Sequence, residues 1–366
     1  LLIVIVALVV LIALAVVVFM QQPQFGRVPS GDRLERIKRS PNFRNGKFQN
    51  IHDTPALTDG ANYFSVMNKF VFKKKERVKP KDPIPHLKTD LKSLLPDANV
   101  LVWFGHSSYF LQVNGKKLLV DPVLSGVASP AAFTTRSFSG TDPYSVDDIP
   151  EIDYLFITHD HWDHLDHTTI LKLRTKVKLV ICGLGTGEHF EYWGFDAKII
   201  RELDWNESTT LDSGFTVTAT SARHFSGRKL ARNKALWTSY VLQTPTQKIF
   251  LGGDSGYDTH FAEIGTKHGP FDLAILENGQ YDKSWKYIHM MPEEVVQAAQ
   301  ELRARKLLAV HSGKFALANH AWDDPLKRVS LASAAAGMRL LTPMIGEQVN
   351  VDAQDQPFVR WWEGVD

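Results

Sequence analysis

Cysteine is all but missing from this chain: Cys182 is the one thiol among 366 residues. That excludes an internal disulfide and any cysteine-built zinc finger, and it leaves the redox compartment open, because a protein can do without disulfides. The Gly-x-Ser-x-Gly elbow of a serine hydrolase is missing too. Ser255 follows Asp254 outside any such elbow, and we read it as structural. No stretch repeats with a fixed period, and neither sign of charge dominates, the formal net charge being +2.

What is present is an ordinary globular mixture, 44% hydrophobic and 22% charged, in a chain long enough for one large domain or two small ones. Its first twenty residues are apolar, without charge, glycine or proline. At about 1.5 Å per residue, such a helix crosses a hydrocarbon core of about 30 Å. A cleaved signal peptide is the alternative, with Ala13-Leu14-Ala15 as its small-x-small site. The apolar run, however, continues to Met20, beyond the roughly 7–15 residues of a signal core. We therefore expect a transmembrane anchor over residues 1–20. The chain begins at Leu rather than Met, so residues upstream are expected as well.

Charge is unevenly spread. Residues 21–92 carry 16 Lys and Arg against 7 Asp and Glu, which leaves residues 93–366 acidic by 7. The densest run is Lys73-Lys74-Lys75-Glu76-Arg77-Val78-Lys79-Pro80-Lys81. Such runs are usually solvated linkers, but beside a membrane span each basic residue gains roughly 1 kcal/mol from anionic lipid. Residues 21–95 are thus read as a basic juxtamembrane segment, with anionic lipid headgroups as partner. Pro80, Pro83, Pro85 and Pro96 punctuate its exit and place a domain boundary near Pro96. A catalytic domain over 96–350 and a C-terminal tail over 351–366 complete the expected organisation.

Beyond Pro96 the pattern changes to short apolar runs. Strands are expected at residues 100–104, 108–113, 117–120, 154–158, 178–181, 215–220, 238–243, 248–251, 273–276 and 307–310. Asn114-Gly115 supplies a hairpin turn between the second and third. Helical patterns occupy 167–174 and 292–305, the latter opening on Pro292 with Glu293 and Glu294 in its first turn. Strand clusters interleaved with helices imply an α/β fold of two sheets covered by helices.

The chemistry is concentrated in Thr158-His159-Asp160-His161-Trp162-Asp163-His164, directly after an expected strand. Imidazole nitrogen and carboxylate oxygen are ligands that zinc accepts at about 2.0–2.2 Å. In an extended loop, positions i and i+2 point the same way, so His159 and His161 can serve one ion. Asp163 and His164 fall past the bend and can serve a second.

The His-x-His-x-Asp-His motif at 159–164 resembles the signature of the metallo-β-lactamase superfamily. More closely, WFGHSSYFLQV (103–113), DPVLSGVASP (121–130), THDHWDHLD (158–166), GGDSGY (252–257), GPFDLAILENGQY (269–281) and VHSGKFALAN (310–319) resemble the N-acyl-phosphatidylethanolamine-hydrolysing phospholipase D family and its bacterial relatives. The resemblance covers about residues 100–342 and leaves out the apolar and basic segments. It implies an αββα sandwich, here preceded by a membrane helix. It implies His224 as the third histidine of the first metal, Asp254 as the carboxylate bridging both, and His311 as the last ligand of the second. Each also sits just past an expected strand, where a loop can bring it to one shared edge. Two zinc ions per chain are the implied cofactors, with manganese or iron as alternatives. His289 is expected to contact substrate; Asp254 and His289 are thus the catalytic candidates. Asp166 is read as a helix cap or as a residue orienting a ligand imidazole. His106 matches a family block without a ligand role. His167, His189, His260, His268 and His320 are left as structural.

The anchor, the basic stretch and the resemblance together favour a membrane phospholipid as substrate and the membrane as working surface. The rivals are a lactonase or sugar-phosphate hydrolase, an RNA nuclease, and a non-catalytic membrane scaffold. Because the basic excess lies outside the acidic catalytic domain, no nucleic-acid partner is expected; a homodimer is left open. Arg27, Arg33, Arg36, Lys38 and Arg39 flank the apolar run and lean the chain toward the cytoplasmic side.

Overall fold

Buried strands alternate their side chains between two faces, and here both faces are covered. The computed structural model describes residues 1–58, 60–72 and 76–366; the lysines at 73–75, which open the densest basic run, lie outside the described residues. The chain begins with α1 (Leu2–Met20), α2 (Gly31–Lys38), a small hairpin of β1 (Phe43–Arg44) and β2 (Lys47–Phe48), and α3 (Tyr63–Phe72). The first half of the sandwich follows as β3 (Val100–Trp103), β4 (Tyr109–Val113), β5 (Lys116–Val120), β6 (Ile152–Ile157), α4 (His167–Leu173), β7 (Val177–Gly183), α5 (Gly187–Tyr192) and β8 (Ile200–Leu203). The second half is β9 (Ser208–Thr210), β10 (Thr216–Thr220), β11 (Ser239–Gln243), β12 (Lys248–Leu251), α6 (His260–His268), β13 (Leu273–Glu277), α7 (Pro292–Glu301), β14 (Lys306–Val310), α8 (Asp324–Ala336) and β15 (Arg339–Leu341); β16 (Gln348–Asn350) returns to the first sheet.

Two seven-stranded sheets result, ordered β16-β3-β4-β5-β6-β7-β8 and β15-β14-β13-β12-β11-β10-β9. Each begins with antiparallel pairs and continues with parallel ones, β5 to β8 in the first and β12 to β15 in the second. Alternation sorts the side chains. Leu101, Tyr154 and Phe156 face Val217, Tyr240, Leu251 and Ile275 between the sheets. Val102, Leu155 and Ile157 face outward onto Ile170, Leu173 and Phe190 of α4 and α5. On the far side Phe250, Ala274 and Leu276 meet Phe261, Val295, Val296 and Val329 of α6, α7 and α8. This is the αββα sandwich that the sequence implies.

The expected strands all form, and Asn114 and Gly115 turn the β4–β5 hairpin with positive φ angles of 46° and 73°. In the two large sheets the strands without a sequence signal, β8, β9, β15 and β16, are short and lie at the sheet edges, where partial exposure removes the apolar run. The helix expected to run to residue 305 ends at Glu301, because the chain turns through Arg303 at φ 58°.

Two departures concern domain limits. Packing does not stop at Pro96: Ile37 and Phe48 are fully buried against Leu184, Trp205, Leu236 and Trp237. Among the described residues, several basic side chains of this segment pair with acidic ones of the sandwich. Arg33 pairs with Glu188 (2.8 Å), Glu202 (2.7 Å) and Glu191, Arg36 with Glu207 (2.7 Å), and Arg77 with Asp323 (2.6 Å). The stretch after residue 350 is no tail either. Val351, Trp361, Trp362 and Val365 enter the core between the sheets, with Trp361 6.3 Å from Trp103.

Candidate metal centre

Every expected site residue emerges at one edge of the sandwich, at the ends of its strands. His159, His161, Asp163 and His164 follow β6; His224 follows β10; Asp254 follows β12; His289 lies between β13 and α7; His311 follows β14. The structure brings all eight together, and adds His106 from the β3–β4 turn.

Two main groups of ligand atoms form, and a third set, Asp254, His289 and His311, overlaps both. In the first, His161 Nδ1 lies 2.9 Å from His159 Nε2 and 3.2 Å from His224 Nε2. Both of those Nε2 atoms face Asp254 Oδ2, at 3.8 and 3.6 Å. In the second, His164 Nε2 lies 3.6 Å from Asp163 Oδ2, and His164 Nε2 and His311 Nδ1 each lie 3.2 Å from Asp254 Oδ1. Asp254 therefore turns one oxygen to each group.

Hydrogen bonds on the opposite ring edges decide which nitrogen is available. His164 Nδ1 donates to Asp121 Oδ2 at 2.7 Å, and His224 Nδ1 donates to the Ile288 carbonyl at 2.9 Å. His159 Nδ1 sits 3.0 Å from Thr158 Oγ1. Asp121 is held by the Thr158 amide (2.9 Å) and hydroxyl (2.6 Å). Sequence reasoning missed Asp121. It stands immediately after β5, the same strand-end placement that supported His224 and His311 beside the resemblance.

His106 had no role in the sequence reading. Its Nε2 lies 2.8 Å from Asp163 Oδ2, within the second group, which makes it a potential ligand or the residue that orients Asp163. Both His106 and His311 take the left-handed conformation, at φ 53° and 65°, and their backbones bond to one another through the His311 amide and the His106 carbonyl (2.9 Å). Strained backbone of this kind concentrates at functional sites. His289 stacks on His311 with ring centroids 5.2 Å apart, and its Nδ1 faces Glu277 Oε2 at 3.6 Å. Glu277, also missed, accepts from the Met290 amide (2.6 Å), and burial pushes its carboxyl up to about 7. Asp166 resolves as a helix cap, accepting from the Thr168 amide at 3.1 Å.

The electrostatics fit a cation. Burial, reinforced by neighbouring imidazoles, holds His159, His224 and His311 well below the ordinary histidine value, so these rings are unprotonated at neutral pH. Burial alone would raise the Asp254 carboxyl, but the charge of His164 holds it well below the usual carboxylate range. His164 Nε2 and Asp254 Oδ1 are buried and make no hydrogen bond. Burying polar atoms without partners is costly, and a metal ion among these donors would satisfy them.

A cavity of about 300 Å³ opens over the groups. His161, Asp163, Asp254 and His289 form its floor; Phe225, Ile288 and Leu317 form an apolar wall, which Ala56, Leu57 and Tyr63 extend. A larger cleft of about 680 Å³, between His86 and Asp142, includes none of the ligand residues. The chemistry belongs to the smaller one.

Fold and site together define a metal-dependent hydrolase, and the chain belongs to the metallo-β-lactamase superfamily: the Beta-lactamase superfamily domain matches residues 116–312. Among relatives, an uncharacterized protein of Mycobacterium tuberculosis is 35% identical over 329 residues, covering 89% of this chain and 88% of the relative. N-acyl-phosphatidylethanolamine-hydrolyzing phospholipase D 1 of Caenorhabditis elegans is 29% identical over 305 residues, covering 76% and 82%. In structure, the chain is similar to a metallo hydrolase from the hyperthermophilic archaeon Ignicoccus hospitalis, with a TM-score of 0.55 and 20% identity over 69% of this chain and 97% of that one.

Proposed function

We propose that this chain is a membrane-anchored hydrolase of two zinc ions that cleaves N-acyl-phosphatidylethanolamine-like glycerophospholipids at the phospholipase D position. The observation that carries the reading is the division of Asp254, whose Oδ2 faces one histidine group and Oδ1 the other. His159, His161 and His224 would hold the first ion, Asp163, His164 and His311 the second, with Asp254 common to both. Nitrogen and oxygen donors without thiolate suit zinc, and also manganese or iron. Bound there, paired divalent ions supply an activated water and stabilise negative charge on the attacked group.

The chain's own residues do the rest. Asp254 keeps the two groups at one edge. Asp121, Thr158 and the Ile288 carbonyl set the imidazole orientations. His289, with Glu277 behind it, reaches the cavity where it can contact a substrate's polar group. Phe225, Ile288 and Leu317 exclude water and suit an acyl chain.

Support for a lipid comes from three directions. One is the similarity to the nematode phospholipase D. A second is α1, which by length and composition is able to cross a membrane. The third is α3, where Tyr63 enters the cavity wall while Phe64, Met67 and Phe72 of the same helix stand exposed.

The test presents the full chain, in mixed micelles, with N-acyl-phosphatidylethanolamine, a soluble phosphodiester and a lactone, with Asp254→Asn as the blank. Release of phosphatidic acid by the wild type alone is the expected result. Rapid lactone or soluble-ester cleavage without lipid turnover would reject the phospholipase reading and favour the lactonase or sugar-phosphate alternative.

A further inference from the structure

We propose that Arg228 is a positioning residue for the metal centre, clamping the ligand loop at both ends, and that the chain directly after the apolar helix completes the clamp. The inference rests on the reading of the histidine groups as a metal site. A ligand loop has to be held within about 0.5 Å of its working geometry by neighbours that are themselves locked. The loop after β6 presents His161, Asp163 and His164 between two carbonyls, those of Asp160 and Leu165. Arg228 Nη1 donates to both, at 2.9 and 2.7 Å.

The same guanidinium reaches the N-terminal segment. Its Nε and Nη2 donate to the Gln24 carbonyl at 3.0 and 2.8 Å. Its plane lies over the Trp162 ring, 3.9 Å from the centroid, and Phe25 meets that ring edge-on at 5.1 Å. One planar cation thus joins three chain segments around a single tryptophan of the ligand loop. Burial lowers the Arg228 guanidinium to about 10, which leaves it charged at neutral pH. A rigid fork of N–H donors suits this arrangement, and the single ammonium of lysine cannot reproduce it.

A second set of contacts secures the same corner. Asp160 Oδ1 accepts from the Gly227 amide at 2.6 Å, and Asp160 Oδ2 faces His189 Nε2 at 3.4 Å. The Arg27 amide donates to His189 Nδ1 at 3.1 Å. Gly26 passes so close that a Cβ there would stand 2.0 Å from His189 Nδ1, and its φ is +64°. Residues 24–27 therefore belong to the metal-binding unit and do more than link it to the apolar helix.

The experiment titrates zinc into the metal-free full chain in detergent, against a chromophoric chelator, for the wild type, Arg228→Gln, Arg228→Lys and Phe25→Ala. Thermal midpoints are recorded with and without zinc. Supporting residues of this type change metal affinity about 10–100-fold when removed. Arg228→Gln should weaken zinc binding within that range and narrow the gap between the two midpoints. Arg228→Lys should fall between Gln and wild type. Phe25→Ala should weaken binding less, and the Phe25→Ala and Arg228→Gln effects should combine non-additively. A residue that merely supports the fold would lower both midpoints equally and leave affinity alone. If Arg228→Gln does not fold, Arg228→Lys and Phe25→Ala decide the matter by the same measurement. Wild-type affinity in the folded variants overturns the clamp and leaves the metal centre standing. A wild-type chain that binds neither zinc nor, in the same titration, manganese or iron overturns both.

Discussion

His164 Nδ1 lies 2.7 Å from Asp121 Oδ2, and that one hydrogen bond turns the other ring nitrogen toward Asp163 and Asp254. Asp121 touches no other member of the second group, so its influence on a metal runs through the imidazole. Asp121→Asn should lower metal affinity about 10–100-fold while the fold persists, the range typical of such outer partners. Equilibrium dialysis against zinc, with circular dichroism as the check on folding, measures both quantities.

Asp254 and His289 differ in what they hold. Asp254 faces both groups, while His289 lines the cavity and stacks on His311. Asp254→Asn should therefore reduce turnover by several orders of magnitude and lower the metal content below two ions per chain. His289→Ala should reduce turnover less and leave the metal content unchanged. Elemental analysis beside steady-state kinetics separates the two, and equal losses would place the shared carboxylate elsewhere.

Arg33 ties the N-terminal segment to the sandwich through three glutamates, with only 13% of its side chain exposed. Removing one partner of a buried ion pair strands the others, at a cost of about 3–5 kcal/mol. Arg33→Ala should show a loss of that order in chemical denaturation. Arg36→Ala breaks a pair whose side chains are 40% and 45% exposed, and exposed pairs contribute roughly 0–1 kcal/mol. If the segment were a free linker, the two variants would behave alike.

His260 lies buried beside Ser255, and burial lowers its imidazole to about 4. The unfolded chain protonates this group near pH 6.5 whereas the folded chain stays neutral, so stability falls as the pH drops from about 6.5 toward 4. The contribution is about 3 kcal/mol across that window. Stability measured against pH should fall less steeply in His260→Gln than in the wild type; identical slopes would mean that His260 titrates freely in the folded state.

Local signals determined much of this molecule. The apolar runs that became the central strands were legible because strands buried on both faces lose the polar alternation of a surface strand, and Asn114-Gly115 marked its turn by its need for positive φ. The ligand motif at 159–164 was legible because five of its six residues are imidazoles or carboxylates beside a strand end. What tertiary structure decided was everything that depends on distant segments meeting. The sequence of the basic stretch resembles a solvated linker, yet Arg33, Ile37 and Phe48 find glutamates and tryptophans more than a hundred residues away. Trp361 and Trp362 fill a core whose other members begin near residue 84. Asp121 and Glu277 lie in blocks that resemble the family, 121–130 and 269–281, but not in a ligand pattern, and Arg228 lies in none of those blocks. Asp121 and Glu277 act through a neighbour's ring and Arg228 through backbone carbonyls, and only the closed sandwich brings donor and acceptor within hydrogen-bonding or ion-pairing distance.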